Sequence, residues 1–156
     1  MSIEIIKGDL LNASEQYIVH QCNCVSVGSG AGLAKAIFDR YPYANIYENR
    51  ENPDVPGTII IKGNGQDQRY VIAILGQYYP GGPAFKGSDI YYNRLLYFKW
   101  GLEQISKIKD LKSIALPFNI GCGLANGKWE DYYDMIKTFD HACGYKVKIT
   151  IYNNES

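Results

Sequence analysis

Short apolar runs recur along the chain, separated by polar and glycine-containing segments. Each run has the length of a strand and is rich in isoleucine, valine or tyrosine, which favour extended backbone. The last run alternates polar and apolar residues, as a strand near a sheet edge does. We predict six strands, at Ile3–Ile6, Tyr17–Cys22, Thr58–Lys62, Tyr70–Leu75, Ser113–Leu116 and Lys146–Tyr152.

Three other segments repeat apolar residues every three or four positions, which predicts amphipathic helices. The first runs through Leu33 and should end near Pro42, because proline cannot continue a helix. The second is long, and Ser88 is its candidate N-cap. The third begins around Trp129. The predicted stripes of the second and third helices are Tyr91, Leu95, Phe98, Leu102 and Ile105, and Trp129, Tyr132, Tyr133, Ile136 and Phe139.

Strands that alternate with helices predict an α/β sandwich over a largely parallel sheet. The length of 156 residues fits one domain, residues 1–156. Lysine plus arginine and aspartate plus glutamate are balanced at 16 each. This balance indicates no nucleic-acid groove, although a local basic patch is compatible with it.

The N-terminal sequence lacks the pattern of a signal peptide, and no apolar run reaches the length of a membrane span. We therefore predict a cytoplasmic protein in which the four cysteines are free thiols. Cys22 and Cys24 form CxC rather than CxxC, and the only histidines are His20 and His141. A zinc site is weakly supported by this set, so we expect no metal dependence and no cofactor.

Two predicted strands run into glycine-rich sequence that precedes a helix. His20–Cys24 leads into Gly28–Gly32, and Pro117 leads into Asn119–Gly123. Strand ends of this kind bind ligands in open α/β sheets, and helix N-termini with nearby glycines favour phosphate. Tight turns that need glycine only for packing are the alternative. The two segments together indicate a diphosphate site more specifically than either alone.

Two familiar phosphate motifs are excluded by the residues at one or two of their positions. The dinucleotide fingerprint G-x-G-x-x-G needs glycine where Leu33 stands. The Walker pattern needs glycine at Cys122 and serine or threonine at Trp129.

The chain resembles the macrodomain family, which binds ADP-ribose. Four segments carry the resemblance: Gly8–Leu10, His20–Asn23 with Gly28–Leu33, Leu75–Gln77, and Pro117–Trp129. It is most similar to the branch of ADP-ribose-1''-phosphate phosphatases and terminal ADP-ribose glycohydrolases. The resemblance implies a three-layer α/β/α sandwich with a mixed, mostly parallel sheet of about six strands.

The resemblance also implies roles for individual residues. Asp9 would accept from the adenine amino group, and Asn23 would orient the distal ribose. Capping of a turn by Asp9, and satisfaction of its own loop by Asn23, are the alternatives. The predicted ligand-binding residues are Asp9, Leu10, Gln21, Gly28, Ser29, Gly30, Ala31, Gly32, Leu33, Pro117, Asn119, Ile120, Gly121, Cys122, Gly123, Leu124 and Lys128.

Catalysis is the point at which the sequence departs from these relatives. The glycohydrolases have a lysine and an aspartate where this chain has Gln77 and Ala125. His20 matches a histidine of the phosphatases, so we predict His20 and Asn23 as catalytic residues, with His20 as general acid/base or nucleophile. A buried hydrogen-bonding histidine is the alternative. Many relatives carry aspartate where Lys128 stands; this lysine either binds the substrate phosphate or is solvated at a helix start.

Three functions follow as hypotheses. The first is binding of ADP-ribose with hydrolysis of ADP-ribose 1''-phosphate to ADP-ribose and phosphate. The second is a non-catalytic module for ADP-ribose, free or attached to a macromolecule, and the third is a glycohydrolase. Two smaller predictions concern the rim of the site: Gly76–Gly87 shapes access to it, and Tyr152 stacks on the adenine.

Overall fold

A computed structural model describes residues 2–154 of the chain. Its strands are β1 (Ile3–Lys7), β2 (Tyr17–Asn23), β3 (Ile59–Lys62), β4 (Tyr70–Gln77), β5 (Ser113–Pro117) and β6 (Lys148–Asn153). Its helices are α1 (Gly32–Arg40), α2 (Tyr91–Ser106) and α3 (Trp129–Ala142), with single 3₁₀ turns at Leu10–Asn12 and Pro42–Ala44. All the predicted strands and helices are present, with ends that move by up to three residues.

The six strands form one sheet in the order β1-β6-β5-β2-β4-β3. All neighbours are parallel except β3 and β4, which run antiparallel. The predicted mixed, mostly parallel sheet is therefore confirmed. β6 lies second from one edge, where Ile149 and Ile151 are fully buried. β2 and β5 lie at the centre, so their carboxyl ends meet in the middle of the sheet.

Two separate apolar cores cover the two faces of the sheet. On one face Phe98 and Leu102 of α2 and Ile136 of α3 pack against alternate residues of the strands. On the other face Ile37 and Phe38 of α1 pack against residues that include Ile18 and Cys22 of β2. The predicted stripes of α2 and α3 face the first core, and α1 covers the second, which gives the three-layer sandwich.

The start of α2 differs from the prediction. The helix begins at Tyr91, and its N-cap is Ile90 rather than Ser88. The carbonyl of Ser88 accepts from the Tyr97 hydroxyl at 2.5 Å, and the Asp89 carboxylate binds the preceding loop. Residues 88–90 therefore close the loop before α2 instead of opening the helix.

Among the described residues, no helix is long and apolar enough to cross a membrane. The four cysteines are free thiols, and Cys22 and Cys24 are buried.

Candidate functional site: a crevice at the strand ends

A crevice of about 520 Å³ opens at the carboxyl ends of β2, β4 and β5. Ligand pockets typically measure about 300–1,000 Å³. Three loops wall the crevice: the first loop (residues 24–31), the second loop (118–128) and the third loop (78–90). The first and second loops are the two glycine-rich segments that the sequence singled out.

Asn23 organises the first loop from the end of β2. Its Oδ1 accepts from the N–H groups of Val25 and Ser26 at 3.0 and 2.7 Å, and its Nδ2 donates to Ser26 Oγ at 2.9 Å. Its own N–H donates to the hydroxyl of buried Tyr47 at 2.9 Å. Asn23 also lines the crevice, so the side chain that shapes the loop is at the ligand surface as well.

A buried arginine fixes the same loop from behind. Arg50 Nη1 donates to the carbonyl of Ser26 at 3.0 Å, and Nη2 donates to the carbonyl of Asn23 at 3.1 Å. The guanidinium pairs with Asp54 at 2.8 Å and lies 4.9 Å from the centre of the Tyr47 ring. No local pattern indicated the role of this arginine, because the two carbonyls that it binds lie 24 and 27 residues away.

The first loop leads directly into the N-terminus of α1. Gly30 has φ of +76°, a left-handed conformation that favours glycine. The N-cap of α1 is Ala31, whose side chain makes no capping hydrogen bond. The first-turn N–H groups of α1 therefore lack the side-chain acceptor that usually satisfies them, and they adjoin the crevice lining at Ala31 and Leu33.

The second loop is a compact series of turns closed by main-chain bonds. Asn119 and Gly121 have φ of +65° and +76°, and the N–H of Gly127 donates to the carbonyl of Gly121 at 3.0 Å. A Cβ at Gly121 would lie 2.5 Å from the Tyr132 ring, so this position requires glycine. The turns expose the edge of Ile120–Leu124 to the crevice, apart from Cys122.

Two glutamines connect the ends of β2 and β4 to the third loop by hydrogen bonds. Gln21 Nε2 donates to Gln77 Oε1 at 2.7 Å, and Gln77 Nε2 donates to the carbonyl of Tyr79 at 2.9 Å. Gln21 crosses over Gly76, where a Cβ would lie 2.4 Å from its Oε1. Gln77 thus links β2 to the third loop by hydrogen bonds at both ends of its amide.

Most of the predicted ligand-binding residues come together in this crevice. The lining includes Gln21, Asn23, Ser29, Gly30, Ala31, Leu33, Pro117, Asn119, Ile120, Gly121, Gly123 and Leu124. The sequence analysis missed Cys22, Ser26, Val27, Ala34, Tyr47, Gln77, Pro80, Gly81, Phe118 and Ala125 as lining residues. Pro80 and Gly81 come from the segment predicted to shape access, and the segments that carry the resemblance contain Cys22, Gln77, Phe118 and Ala125.

The structure places His20, predicted as a catalytic residue, outside the described lining of the crevice. Its side chain is 1% exposed and is not part of the crevice lining. The ring lies two residues deeper along β2 than Cys22, whose Sγ is 3.6 and 3.7 Å from its two nitrogens. Phe38 covers it edge-on, with ring centres 5.6 Å apart. Burial lowers the pKa of His20 to about 4, which keeps the imidazole neutral near pH 7.

Four other predicted ligand residues also lie off the described lining: Gly28, Gly32, Cys122 and Lys128. Lys128 is exposed at the start of α3, and its N–H donates to the Tyr91 hydroxyl at 3.1 Å. Cys122 Sγ is directed to the carbonyl of Ile120 at 3.4 Å. A Cβ at Gly32 would lie 3.1 Å from Leu124 Cδ1, so Leu124 of the second loop lies against the start of α1.

Asp9 and Leu10 lie off the described lining as well. Asp9 Oδ1 accepts from the N–H of Leu11 at 3.0 Å and caps the 3₁₀ turn, which is the alternative that the sequence left open. Leu10 is buried in the core against α1. Tyr152, predicted to stack on adenine, packs close to Gly8 and donates its hydroxyl to Glu15 Oε1 at 2.6 Å.

The described lining of the crevice carries no aspartate, glutamate, lysine, arginine or histidine. Its two titratable side chains are Cys22 and Tyr47. Burial raises the pKa of Cys22 to about 12 and raises the pKa of Tyr47 above its ordinary value. The surface therefore stays uncharged near neutral pH, and an anion would meet main-chain N–H groups and amide side chains.

The chain matches no protein-family model and no curated protein. Solved structures do resemble it over 99% of its length. The macrodomain of Thermus aquaticus DarG has a TM-score of 0.66 at 21% identity, and the match covers 98% of that chain. The Trypanosoma brucei macrodomain in complex with ADP-ribose has a TM-score of 0.70 at 15% identity, with 64% of that chain covered.

The alphavirus P23pro-zbd has a TM-score of 0.72 at 20% identity. This chain spans 22% of the alphavirus protein, so the likeness concerns one part of it. At these identities the comparisons establish the fold, which is that of the macrodomains.

Proposed function

We propose that this chain binds ADP-ribose in the crevice and releases it unchanged, as a recognition module. The observation that carries the proposal is the chemistry of the lining. Two glycine-rich loops and the N-terminus of α1 offer main-chain donors for a diphosphate, and no charged side chain stands among the described lining residues. The Trypanosoma brucei macrodomain, which shares the fold, was solved in complex with ADP-ribose.

The binding mode follows from the positions of the loops. The diphosphate would lie between the first and second loops, close to the point where Leu124 of the second loop meets Gly32 at the start of α1. The distal ribose would lie toward Asn23 and the Gln21–Gln77 pair, whose amides suit hydroxyl groups. Adenine would lie toward the end of β1, where the second carboxylate oxygen of Asp9 is the acceptor that the turn does not use.

Hydrolysis of ADP-ribose 1''-phosphate is less well supported than binding. General acid/base or nucleophilic work requires a side chain within hydrogen-bond reach of the reacting group. His20 is enclosed by Cys22 and Phe38, and Lys128 lies off the crevice. Glycohydrolysis is also less well supported, because Gln77 and Ala125 stand at the positions where the resemblance places a lysine and an aspartate. These placements favour binding without turnover.

Two assays on one sample test the proposal. Isothermal titration calorimetry with ADP-ribose should give saturable binding of one ligand per chain. Phosphate release from ADP-ribose 1''-phosphate should stay at the level of a buffer control. Absence of ADP-ribose binding would overturn the proposal. Phosphate release that disappears in His20→Ala would replace it with the phosphatase, and release that persists in that variant would point to a different catalytic group.

A further inference from the structure

The third loop contains a segment whose side chains cannot stabilise its conformation by hydrogen bonds. Pro80, Gly81, Gly82 and Pro83 follow one another, and none has a side chain that forms hydrogen bonds. Two of these residues, Pro80 and Gly81, nevertheless line the crevice. The conformation of this wall must therefore be imposed by groups outside the segment.

Arg94 of α2 supplies most of those groups, and Gln77 Nε2 adds a contact of 3.4 Å to the carbonyl of Gly81. Arg94 Nη1 donates to the carbonyl of Gly81 at 2.7 Å, and its Nη2 donates to the carbonyls of Tyr79 and Gly82 at 3.1 and 2.9 Å. Nη1 also lies 3.4 Å from the carbonyl of Ala125 in the second loop. One guanidinium thus binds four main-chain carbonyls, three in the third loop and one in the second.

The arginine is itself fixed by a buried carboxylate. Arg94 Nη2 pairs with Asp89 Oδ2 at 2.8 Å, and the two side chains are 1% and 2% exposed. Asp89 also accepts from the N–H groups of Tyr78 and Tyr79 at 2.7 and 3.0 Å. The pair lies outside the crevice lining, so it acts on a ligand only through the loops that it holds.

The direction of the four carbonyls matters for an anionic ligand. A carbonyl oxygen carries partial negative charge, and one that faced the crevice would repel a diphosphate. In a trans peptide the N–H points opposite to the carbonyl, so the N–H of Gly82 points away from Arg94. The carbonyls of Tyr79 and Gly81 also accept from Gln77 Nε2 at 2.9 and 3.4 Å, so Arg94 and Gln77 together occupy these oxygens as hydrogen-bond acceptors.

We infer that Arg94, held by Asp89, is a positioning residue that fixes the third loop and Ala125 of the second loop for the diphosphate and distal ribose of the ligand. This inference rests on the proposed function, since it names how the same site accepts its ligand. Lysine cannot replace the arginine, because an ammonium group lacks the planar fork that reaches carbonyls on both sides.

The test compares two ligands in Arg94→Lys, which retains the charge beside Asp89. ADP-ribose carries the diphosphate and distal ribose, whereas AMP carries only the adenosine part and one phosphate. We expect the Kd for ADP-ribose to rise at least tenfold and the Kd for AMP to change less than threefold. Arg40→Lys, which alters an exposed arginine at the end of α1, is the control and should change neither.

A purely structural role would lower the melting temperature and leave the ratio of the two dissociation constants unchanged, which would overturn the inference. Should Arg94→Lys fail to fold, Asp89→Asn tests the same network and should give the same selective loss. Wild-type protein that binds no ADP-ribose contradicts the proposed function instead. The inference about the loop is then tested by amide hydrogen exchange, where Gly82 should exchange at least tenfold faster in Arg94→Lys. Unchanged exchange would overturn it.

Discussion

The first and third loops of the crevice are each held by a buried arginine, but the two arginines differ in their surroundings. Arg50 binds the carbonyls of Asn23, at the end of β2, and of Ser26 in the first loop, and its partner Asp54 is 36% exposed. Arg94 binds carbonyls of the second and third loops, and its partner Asp89 is 2% exposed. The first loop has further support from Asn23, whereas the Pro80–Pro83 segment has no polar side chains. Gln77 Nε2 lies 3.4 Å from the carbonyl of Gly81, whereas Arg94 binds the carbonyls of Gly81 and Gly82 at 2.7 and 2.9 Å, so this segment depends mainly on its arginine.

The largest expected effect is on stability, when each arginine is replaced by methionine. Arg94→Met leaves the Asp89 carboxylate buried without its partner and should lower the free energy of unfolding by about 3–5 kcal/mol. Arg50→Met should lower it by about 1–2 kcal/mol, because Asp54 remains solvated. Urea unfolding measures both, with Lys99→Met on the exposed side of α2 as the control for charge. Equal losses would contradict the difference drawn between the two loops.

The second prediction concerns the pH dependence of stability, which depends on a histidine in the core beneath the crevice. His20 has a pKa lowered from 6.5 to about 4 by burial. The unfolded chain therefore takes up a proton between these values while the folded chain does not, so stability falls as the pH falls through this window. The expected loss is about 3 kcal/mol at pH 4, since each pKa unit corresponds to roughly 1.4 kcal/mol.

His20→Leu should remove this part of the acid sensitivity, as urea unfolding at pH 4.5 and 7 would show. An identical pH dependence in the variant would mean that the imidazole is not buried as described. ADP-ribose affinity should stay constant from pH 6 to 8, because no group of the described lining titrates there.

A third prediction concerns a larger side chain in the first loop and its effect on ligand binding. Gly30→Val adds a branched side chain at φ of +76° beside the proposed diphosphate and should weaken ADP-ribose binding at least 100-fold, or about 2.7 kcal/mol. Gly87→Val is a matched control, since Gly87 has φ of +97° and lies off the described lining. Calorimetry should find near-normal affinity in the control. Loss of binding in both variants would attribute the effect to backbone strain.

A smaller effect, that of an added negative charge on ADP-ribose binding, tests whether the diphosphate lies nearer the first loop or the third. Asn23→Asp and Gln77→Glu each introduce a negative charge at almost constant size, one near the first loop and one near the third. We expect about tenfold weaker ADP-ribose binding for Asn23→Asp and about threefold for Gln77→Glu, both reduced at high salt. The reverse order would move the diphosphate toward the third loop.

The fold was readable from the sequence because each strand and helix has a local signature. The run Tyr70–Leu75 lies within β4, and the stripe of α2 faces the core. Ser88 was wrong as an N-cap because a carboxylate one residue later closes a loop through contacts that no local pattern encodes.

The site was readable only in part, for a similar reason. Glycine clusters at strand ends marked the first and second loops, since glycine conformations are a local property. His20 and Gln21 are adjacent in a strand buried on both faces, so the pattern did not reveal that Gln21 reaches the crevice and His20 the core. Arg94 stands beside the apolar stripe of α2, and its role depends on carbonyls 12–31 residues away.

The central claim is that main-chain N–H groups of two loops hold ADP-ribose, and an NMR titration tests it most directly. In a ¹⁵N-labelled sample, ADP-ribose should shift the amide signals of Gly30–Leu33 and of Ile120–Gly123 together, in one saturable step. The ring signals of His20 should remain in place. Binding that leaves the signals of either loop unchanged would contradict the claim.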